Sequence, residues 1–407
     1  MSHAPAQPDP SPVALRTIVQ IGLVAYAVFH LYTSLFGTLE PLNQRGIFIG
    51  GGIGFIYLAL AVKAWNRSPA AAMWDIVLGC LGMYGGLYVT INAERLMDVM
   101  NDLTPMDIGM GIMTILISLE AGRRTIGLSL PIMAVISLAF YIWGNDFIGG
   151  NWRPPRVSTE TVISTLYAST GGIFGLLADI GTRVVAIYVV LGSLLMAVGA
   201  GDVFMRAAGL VAGRAFGGQA KVAVVTSALF GTISGSAVAN VMSVGSITIP
   251  TMIRSGYRKD FAAGIEATAS AGGQIMPPVM GAGAFIMAEL LNIPYTTIAI
   301  AATVPAILYF SAIYFSIDCF ARANRLMPIP REQLPTAREV FLAPQSLSAF
   351  GPLVMLIVLL GMGYTPTFAG AAAIIGLIII AGFVHLYNTL HDGKGFAAEL
   401  RAYGRQV

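Results

Sequence analysis

Cysteine, histidine and charged residues are all scarce in this chain. Its 407 residues include 2 cysteines and 4 histidines, and charged residues make up only 11%. Cys80 and Cys319 lie in separate apolar runs and the histidines lack metal-ligand spacing, so we expect no disulfide framework and no resident metal centre or cofactor. The net charge of +3 is small and dispersed, which argues against a nucleic-acid partner.

Apolar residues, in contrast, dominate the sequence. They make up 56% of it, and the mean hydropathy of +0.76 lies far from that of soluble domains. The runs are continuous rather than alternating with period two, which favours helices over a barrel. The sequence therefore predicts an all-α polytopic membrane protein with about ten spans embedded in the lipid bilayer. Residues 1–14 are polar and proline-rich without a basic start, which predicts a disordered cytoplasmic tail rather than a signal peptide.

The predicted spans are separated by short polar loops. Lys and Arg are in excess in alternate loops, which places the N-terminus in the cytoplasm. Residues 203–216 carry Arg206 and Arg214 in an otherwise apolar segment, which predicts an amphipathic helix along the inner face. The stretch 145–161 predicts a linker between two membrane domains. The continuous spans are predicted at 15–36, 47–65, 70–91, 106–119, 126–143, 184–199, 298–315, 347–362 and 368–387.

Residues 222–253 form an apolar run with a polar interruption at its centre. Basic residues flank the run on both sides, so the charge rule places both of its ends in the cytoplasm. Roughly 30 residues exceed one crossing of about 20 and fall short of two. The interruption, Ser234-Gly235-Ser236, lies near the middle. This pattern predicts a re-entrant helical hairpin with its tip at membrane depth.

The next run, 261–291, is interrupted by GGQIMPP at positions 272–278. Pro277 and Pro278 lack N–H groups and their rings clash with the preceding turn, so a helix cannot continue through them. The run therefore predicts a discontinuous transmembrane helix. Two neighbouring interruptions at membrane depth would bring unpaired backbone groups together, which membrane proteins tolerate only inside protein or around a wet cavity.

The residues at the two interruptions suit a binding site. Ser234, Ser236 and Asn240 offer neutral oxygens suited to sodium, and the half-helix after Ser236 presents its N-terminal end to an anion. In the second interruption, Gln274 can donate and accept hydrogen bonds, while Gly272 and Gly273 permit close approach to the backbone.

Structural explanations of the same residues stay open. Gly231 and Gly235 form a GxxxG pair, which also serves helix packing, and GGQIMPP can be a simple kink. Glu266 and Glu289 flank the second interruption and can relay protons, pair with a cation, or lie near an interface.

Two stretches resemble a known family, the large membrane component of tripartite ATP-independent periplasmic (TRAP) transporters. They are GTISGSAVANVMSVGSITIP and SGYRKDFAAGIEATASAGGQIMPPVMGAGAFIMAELLNIPY. The chain looks most like the fused permeases of the TAXI branch, in which a four-helix small component precedes the large one. The resemblance implies these regions: a small-component-like scaffold at 15–120, a connecting helix and linker at 121–160, a first repeat at 161–330, and the start of a second repeat at 331–407.

The resemblance implies a permease of the bacterial inner membrane rather than an enzyme. It would import organic anions such as dicarboxylates, 2-oxoacids or amino acids, driven by an ion gradient, usually of sodium, and receive them from a periplasmic substrate-binding protein. Its transport domain would move as an elevator. Carried over by position, Ser234, Gly235, Ser236 and Asn240 would form the sodium and substrate site of the hairpin. The partnering residues of the broken helix would be Gly272, Gly273, Gln274, Pro277 and Pro278.

The chain departs from the family pattern in one respect. Such permeases have inverted repeats, and each repeat contributes a hairpin and a broken helix to a midplane site. Only one full set is recognisable here, so we expect an incomplete second repeat and a missing second-repeat polypeptide. A non-transporting remnant of such a permease is therefore one alternative.

Two further alternatives are an ion channel and an intramembrane serine protease. A channel can also use exposed carbonyls, but repeated filter motifs and a ring of pore charges are missing from the sequence. A protease would need a base near Ser234 or Ser236, and no histidine lies between His30 and His385.

Overall fold

The computed structural model describes residues 13–98, 102–147, 149, 153, 155 and 157–392. All regular secondary structure in these residues is helical. The chain divides into two compact units, residues 1–183 and 184–407. The predicted tail at 1–14 lies almost wholly outside the described residues, as do parts of the predicted linker at 145–161 and the end of the chain after Asp392.

The first unit contains long, uninterrupted helices and a few short ones. Prolines begin several of them, at the position where a missing N–H costs nothing. Helix α3 also has an N-cap, since the Ser68 side chain accepts from the Ala71 N–H. The helices are α1 (Val13–Phe36), α2 (Pro41–Ala64), α3 (Pro69–Ile91), α4 (Ala93–Asp98), α5 (Pro105–Thr125), α6 (Ser129–Phe147), α7 (Thr159–Tyr167) and α8 (Leu176–Ile180).

Glycines bring α2 and α3 into backbone contact. A Cβ on Gly86 would lie 2.4 Å from the carbonyl oxygen of Gly46 and 2.6 Å from the Cα of Gly50. Small residues allow such close packing of apolar helices when lipid supplies no hydrophobic driving force. Tyr57 then donates its hydroxyl hydrogen to the Ile117 carbonyl at 3.1 Å, which links α2 to α5.

Helix α5 begins earlier and ends later than the predicted span 106–119. Thr104 and Asp107 form a capping box at its start, which explains an acidic residue inside an apolar run. Asp107 is fully buried and pairs with Arg95 at 2.6 Å. The acidic residue near the start of the predicted span is therefore part of a helix cap.

The second unit mixes long helices with interrupted ones. A π-helical turn, Gly181–Val185, precedes its first helix, and a second, Val241–Gly245, lies between α12 and α13. The helices are α9 (Ala186–Ala197), α10 (Ala200–Ala212), α11 (Gly218–Ser234), α12 (Ala237–Asn240), α13 (Ser246–Arg254), α14 (Lys259–Gly272), α15 (Ala282–Leu291), α16 (Tyr295–Ala323), α17 (Ala337–Phe341), α18 (Pro344–Gly361) and α19 (Pro366–Asp392).

The prediction of a polytopic all-α protein is confirmed. In the described part of the chain, 9 helical segments are long and apolar enough to cross a membrane, and each contains most of one predicted continuous span. One of the nine is the continuous run Leu176–Ala197, which consists of α8, the π-helical turn and α9. Helix α10 has the predicted amphipathic character, since it buries Val203 and Phe204 and leaves Arg206 exposed. Its position relative to the bilayer stays a prediction.

The helical hairpin predicted over 222–253 is present. Helix α11 ends at Ser234, and Gly235 follows with a φ of +55°, a left-handed conformation that favours glycine. After Gly235 the chain turns back. The Asn240 amide donates to the Ser227 carbonyl at 2.9 Å, and the Tyr257 hydroxyl donates to the Gly217 carbonyl at 3.1 Å. The second arm of the hairpin therefore runs antiparallel to α11.

The predicted discontinuity in 261–291 is also present. Helix α14 ends at Gly272, a short 3₁₀ turn covers Gly273–Ile275, and α15 starts only at Ala282. The connection is held by local bonds, including one from the Gly281 N–H to the Gln274 carbonyl at 2.7 Å. Paired prolines thus end the helical pattern where the sequence predicts.

Candidate functional site

The two helix interruptions meet inside the second unit. A Cβ on Gly231 would lie 2.4 Å from the Cα of Gly273, and a Cβ on Gly235 would lie 1.8 Å from the Met280 carbonyl oxygen. The Val279 N–H also donates to the Thr232 carbonyl at 3.3 Å. These contacts are between backbones, so only glycine fits at Gly231 and Gly235. The structure brings together the two motifs that the sequence singled out.

A cavity of about 1100 Å³ lies at this junction. Of the predicted site residues, Ser234, Gly235, Ser236 and Gln274 line it. The other walls are mostly apolar and include the aromatic side chains of Tyr188 and Phe285. A pocket of this size with a few polar groups in an apolar wall is typical of a small-molecule site.

The remaining predicted residues do not line the cavity. Asn240 is fully buried on the hairpin, and Gly273 packs between it and Gly231. Gly272 lies against the rings of Tyr309 and Phe310, where a Cβ would come within 2.4 Å. These three residues therefore support the junction from behind the cavity.

Pro277 and Pro278 form the connection between the two parts of the broken helix. The Tyr295 hydroxyl lies within hydrogen-bonding distance of the Pro278 carbonyl at 2.7 Å and of the Val279 carbonyl at 2.5 Å. The Tyr295 ring also stacks on Phe285, with centroids 4.3 Å apart. One aromatic residue of α16 thus positions both the connection and the first turns of α15.

Two buried polar atoms at the junction have no hydrogen-bond partner in the described part of the chain. They are the Oγ of Ser234 and the Oδ1 of Asn240. An unpaired buried oxygen typically costs about 1–3 kcal/mol, so it normally has an explanation in ligand binding, water or stored strain. Both oxygens are neutral and hard, which makes them suitable ligands for a small cation such as sodium.

The Ser236 side chain has a structural role instead. Its Oγ accepts from the Ala239 N–H at 3.3 Å and thereby caps α12. The backbone that follows Ser236 still offers positive potential to an anion, because the N–H groups in the first turn of a helix have no intrahelical partner. Helix α15 adds a second such terminus, since Gly281, Ala282 and Gly283 line the cavity at its start. The cavity thus lies at two helix N-termini, which favour an anion.

The sequence analysis missed the aromatic residues of the site. Tyr188 donates its hydroxyl hydrogen to the Pro366 carbonyl at 3.0 Å and stacks on Phe285, with centroids 5.7 Å apart. Phe285 also stacks on Tyr295, so the three rings form one row, of which Tyr188 and Phe285 line the cavity. No periodicity or motif distinguishes these rings from the many other aromatic residues in apolar helices, so only the packing reveals them.

In a comparison with protein families, residues 113–402 match the family described as "Tripartite ATP-independent periplasmic transporter, DctM component". The matched range includes both helix interruptions and the cavity they form. The resemblance seen in the two motif stretches therefore extends over most of the chain.

Curated relatives agree with that match. The chain is 27% identical over 279 residues to the C4-dicarboxylate TRAP transporter large permease protein DctM of Vibrio cholerae, covering 67% of this chain and 56% of the relative. It is 36% identical over 172 residues to the protein of the same name from Pseudomonas aeruginosa, and the match covers 42% of this chain and 39% of the relative. It is 27% identical to the sialic acid TRAP transporter large permease protein SiaM of Vibrio cholerae, and that match covers 51% of this chain and 47% of the relative. The chain spans about half the length of the curated relatives it matches.

Proposed function

The chain belongs to the DctM family of TRAP transporter large permeases, and from this premise we propose that it acts in the import of organic anions. The family consists of transporter permeases rather than enzymes, in agreement with the prediction from sequence. We propose C4-dicarboxylates as the substrate class, because several relatives carry that substrate in their names.

The observation that carries this proposal is the junction of the two helix interruptions. There, Ser234 lines a cavity of about 1100 Å³ and Asn240 lies behind it, and each has a buried side-chain oxygen without a hydrogen-bond partner among the described residues. The helix N-termini at Ser236 and Gly281 supply positive potential for a carboxylate, and the oxygens of Ser234 and Asn240 supply ligands for a sodium ion. A cation and an anion at neighbouring positions would neutralise each other's charge, which is the physical basis for coupling their transport.

Several finer features belong to the same proposal. A TAXI-type fusion of small and large components is supported by the family match, which begins only at residue 113 and leaves the first helices unassigned. We further propose an inner-membrane location with a cytoplasmic N-terminus, a periplasmic substrate-binding protein as partner, and elevator movement of the hairpin with its broken helix. A second-repeat polypeptide is a further proposed partner, because in permeases with inverted repeats both repeats contribute to one site.

Binding can be tested on the purified chain in lipid nanodiscs. Thermal unfolding would be followed in sodium chloride and in potassium chloride, each with and without succinate as the dicarboxylate probe. We expect sodium to raise the Tm and succinate to raise it further only when sodium is present. A ligand at 100 times its Kd stabilises the folded state by about 2.7 kcal/mol, so the shift should be measurable.

Matched variants locate the response. Ser234→Ala and Asn240→Leu should remove the sodium-dependent shift. Ser246→Ala is the control, because this exposed hydroxyl on the same hairpin donates locally to the Ser243 carbonyl. An unchanged shift in both site variants would refute the assignment of these oxygens.

Uptake is tested in proteoliposomes that also contain a periplasmic binding protein and the second-repeat polypeptide. Sodium-dependent accumulation of succinate is the expected result. Binding without accumulation would favour the non-transporting remnant, and steady conductance without a binding protein would favour a channel.

A further inference from the structure

Glu266 is a fully buried acid that the proposed import mechanism does not use. It lies on α14, and none of its side chain is exposed. Three hydroxyls surround its carboxyl group: Ser227 at 2.8 Å, Ser270 at 3.0 Å and Thr248. Ser227 belongs to α11 and Thr248 to α13, so the carboxyl group connects both arms of the hairpin to the broken helix.

Cationic groups on the neighbouring helices are engaged elsewhere or lie at helix ends. On α11, Lys221 pairs with Asp318 of α16 and lies over the ring of Tyr314. Arg322 of α16 pairs with the same Asp318 at 2.6 Å. No ion pair joins Glu266 to any basic residue of the described chain, which leaves its carboxyl group among neutral partners.

The other titratable groups near α14 do not supply a counter-charge either. Arg254 ends α13, and Lys259 begins α14, next to an exposed pair between Arg258 and Asp260. Tyr309 of α16 donates to the Thr268 carbonyl, and Cys319 is an exposed residue of the same helix. Helix α12, the following π-helical turn and the 3₁₀ turn after α14 contain no titratable residue.

The hydrogen bonds at Thr248 favour a protonated Glu266. Its Oγ1 lies within hydrogen-bonding distance of both the Val244 carbonyl, at 3.1 Å, and the Glu266 carboxyl group. A hydroxyl has a single hydrogen to donate, so it cannot serve two acceptors at once. A protonated Glu266 resolves the conflict: Oε2–H donates to Thr248 Oγ1, Thr248 donates to Val244, and Oε1 accepts from Ser227 and Ser270.

We propose that Glu266 is a proton-binding site that fastens the two hairpin arms to the broken helix when it is protonated. A buried carboxylate without a cation would bear a large desolvation cost, which three neutral hydroxyls offset only in part. The step is a simple association: one water-derived proton joins the carboxylate and forms an O–H bond, with no change in oxidation state. When the proton leaves, the negative charge favours opening of this contact to water.

Infrared difference spectroscopy on the full chain in nanodiscs tests the proposal directly. At neutral pH, without sodium or substrate, the wild type should show the C=O stretch of a protonated carboxyl group. Glu266→Gln should abolish this band. Glu289→Gln is the matched control and should leave the band unchanged, because Glu289 is exposed on α15 rather than enclosed by hydroxyls.

A second variant covers a failure of Glu266→Gln to fold. Ser227→Ala removes one hydrogen bond to the carboxyl oxygen, so the band should persist at a higher frequency. In thermal unfolding, the wild type should lose stability with rising pH more steeply than Glu266→Gln, which needs no proton. Absence of the band, equal bands in the wild type and Glu266→Gln, or a carboxylate signal that responds to sodium and not to pH would overturn the proposal.

Protonation of Glu266 is independent of the import function. The infrared band reports the protonation of Glu266 without substrate, sodium or a binding protein. A missing band would leave the import proposal untouched, and a failure of uptake would leave the proton site untouched.

Discussion

Buried acids are treated differently in the two units of this protein. In the first unit, the buried residues Asp75, Asp107 and Asp179 each pair with an arginine. In the second unit, Glu266 is equally buried, and its carboxyl group has hydroxyl partners and no ion pair among the described residues. A charge held by an opposite charge makes a permanent link, whereas an acid among neutral donors can change its charge. The first arrangement suits a fixed framework and the second suits a part that changes state.

Glycines show the same contrast. In the first unit, Gly50 and Gly86 allow two uninterrupted helices to pack side by side. In the second, Gly231 and Gly235 lie where one helix ends and meet the backbone of another interruption. Small residues therefore serve packing in one unit and create a cavity-lining junction in the other. Composition alone does not distinguish these uses.

Gly235→Val should have the largest effect on stability. The new Cβ would lie 1.8 Å from the Met280 carbonyl oxygen, in a conformation with φ of +55°. We expect a loss of about 4 kcal/mol or more, because backbone strain and a backbone clash combine. Denaturant unfolding in detergent measures it. The control is Gly264→Ala on the exposed side of α14, where a Cβ meets nothing within 4 Å; equal stability of the two variants would refute the tight junction.

Gly86→Ala should destabilise the first unit by a smaller amount. The added methyl group would meet Gly46 and Gly50 at 2.4–2.6 Å, which forces α2 and α3 apart. Overpacking of this kind costs about 1–3 kcal/mol. Gly109→Ala on α5 is the matched control, since no atom lies within 4 Å of its Cβ. Unfolding midpoints that do not separate these two variants would show that the glycine packing is unimportant.

Asp107→Asn should weaken the first unit by about 2 kcal/mol, less than for a fully buried pair because Arg95 is 38% exposed. The loss has two sources, the ion pair with Arg95 and the capping box with Thr104. Asp260→Asn, which disrupts the exposed pair with Arg258, serves as the comparison and should leave the unfolding midpoint unchanged. If both substitutions behave alike, burial does not decide the importance of the charge pairs.

Ser236→Ala should give the smallest stability loss, about 1 kcal/mol, through removal of an N-cap. Ser234→Ala should cost no stability, because its Oγ has no hydrogen-bond partner in the part of the chain that the structure describes, and it should change only the response to sodium. Thermal unfolding in sodium and potassium salts separates the two effects. A stability loss confined to Ser234→Ala would reverse the assigned roles.

The sequence predicted a large part of this fold because the bilayer allows few alternatives. Apolar runs of span length can only be helices in lipid, and paired prolines such as Pro277 and Pro278 can only end one. The interruptions at Ser234-Gly235-Ser236 and at GGQIMPP were therefore readable from local chemistry. The α5 boundaries were less accurate, since the predicted span 106–119 stopped before Arg123 and Arg124, whereas the helix continues to Thr125.

The residues of the candidate site could be predicted from the sequence only in part. Ser234 and Ser236 look equivalent in the sequence, yet their roles differ. Ser236 caps a helix, whereas the side-chain oxygen of Ser234 has no hydrogen-bond partner among the described residues. Asn240 was selected with them, but it lies behind the cavity and bonds to Ser227. Such roles depend on which neighbour lies within about 3 Å, and residue type does not encode that distance.

By itself the sequence determined that the protein lies in a lipid bilayer and that its spans are helices, because backbone groups transferred into lipid must form internal hydrogen bonds. It also determined the two places where helices cannot continue, through the chemistry of glycine and proline. Only the tertiary structure decided that the two interruptions meet, that Gly231 lies against Gly273, and that Glu266 has hydroxyls rather than cations around it. Those facts arise from packing between segments far apart in the chain, and no local pattern specifies them.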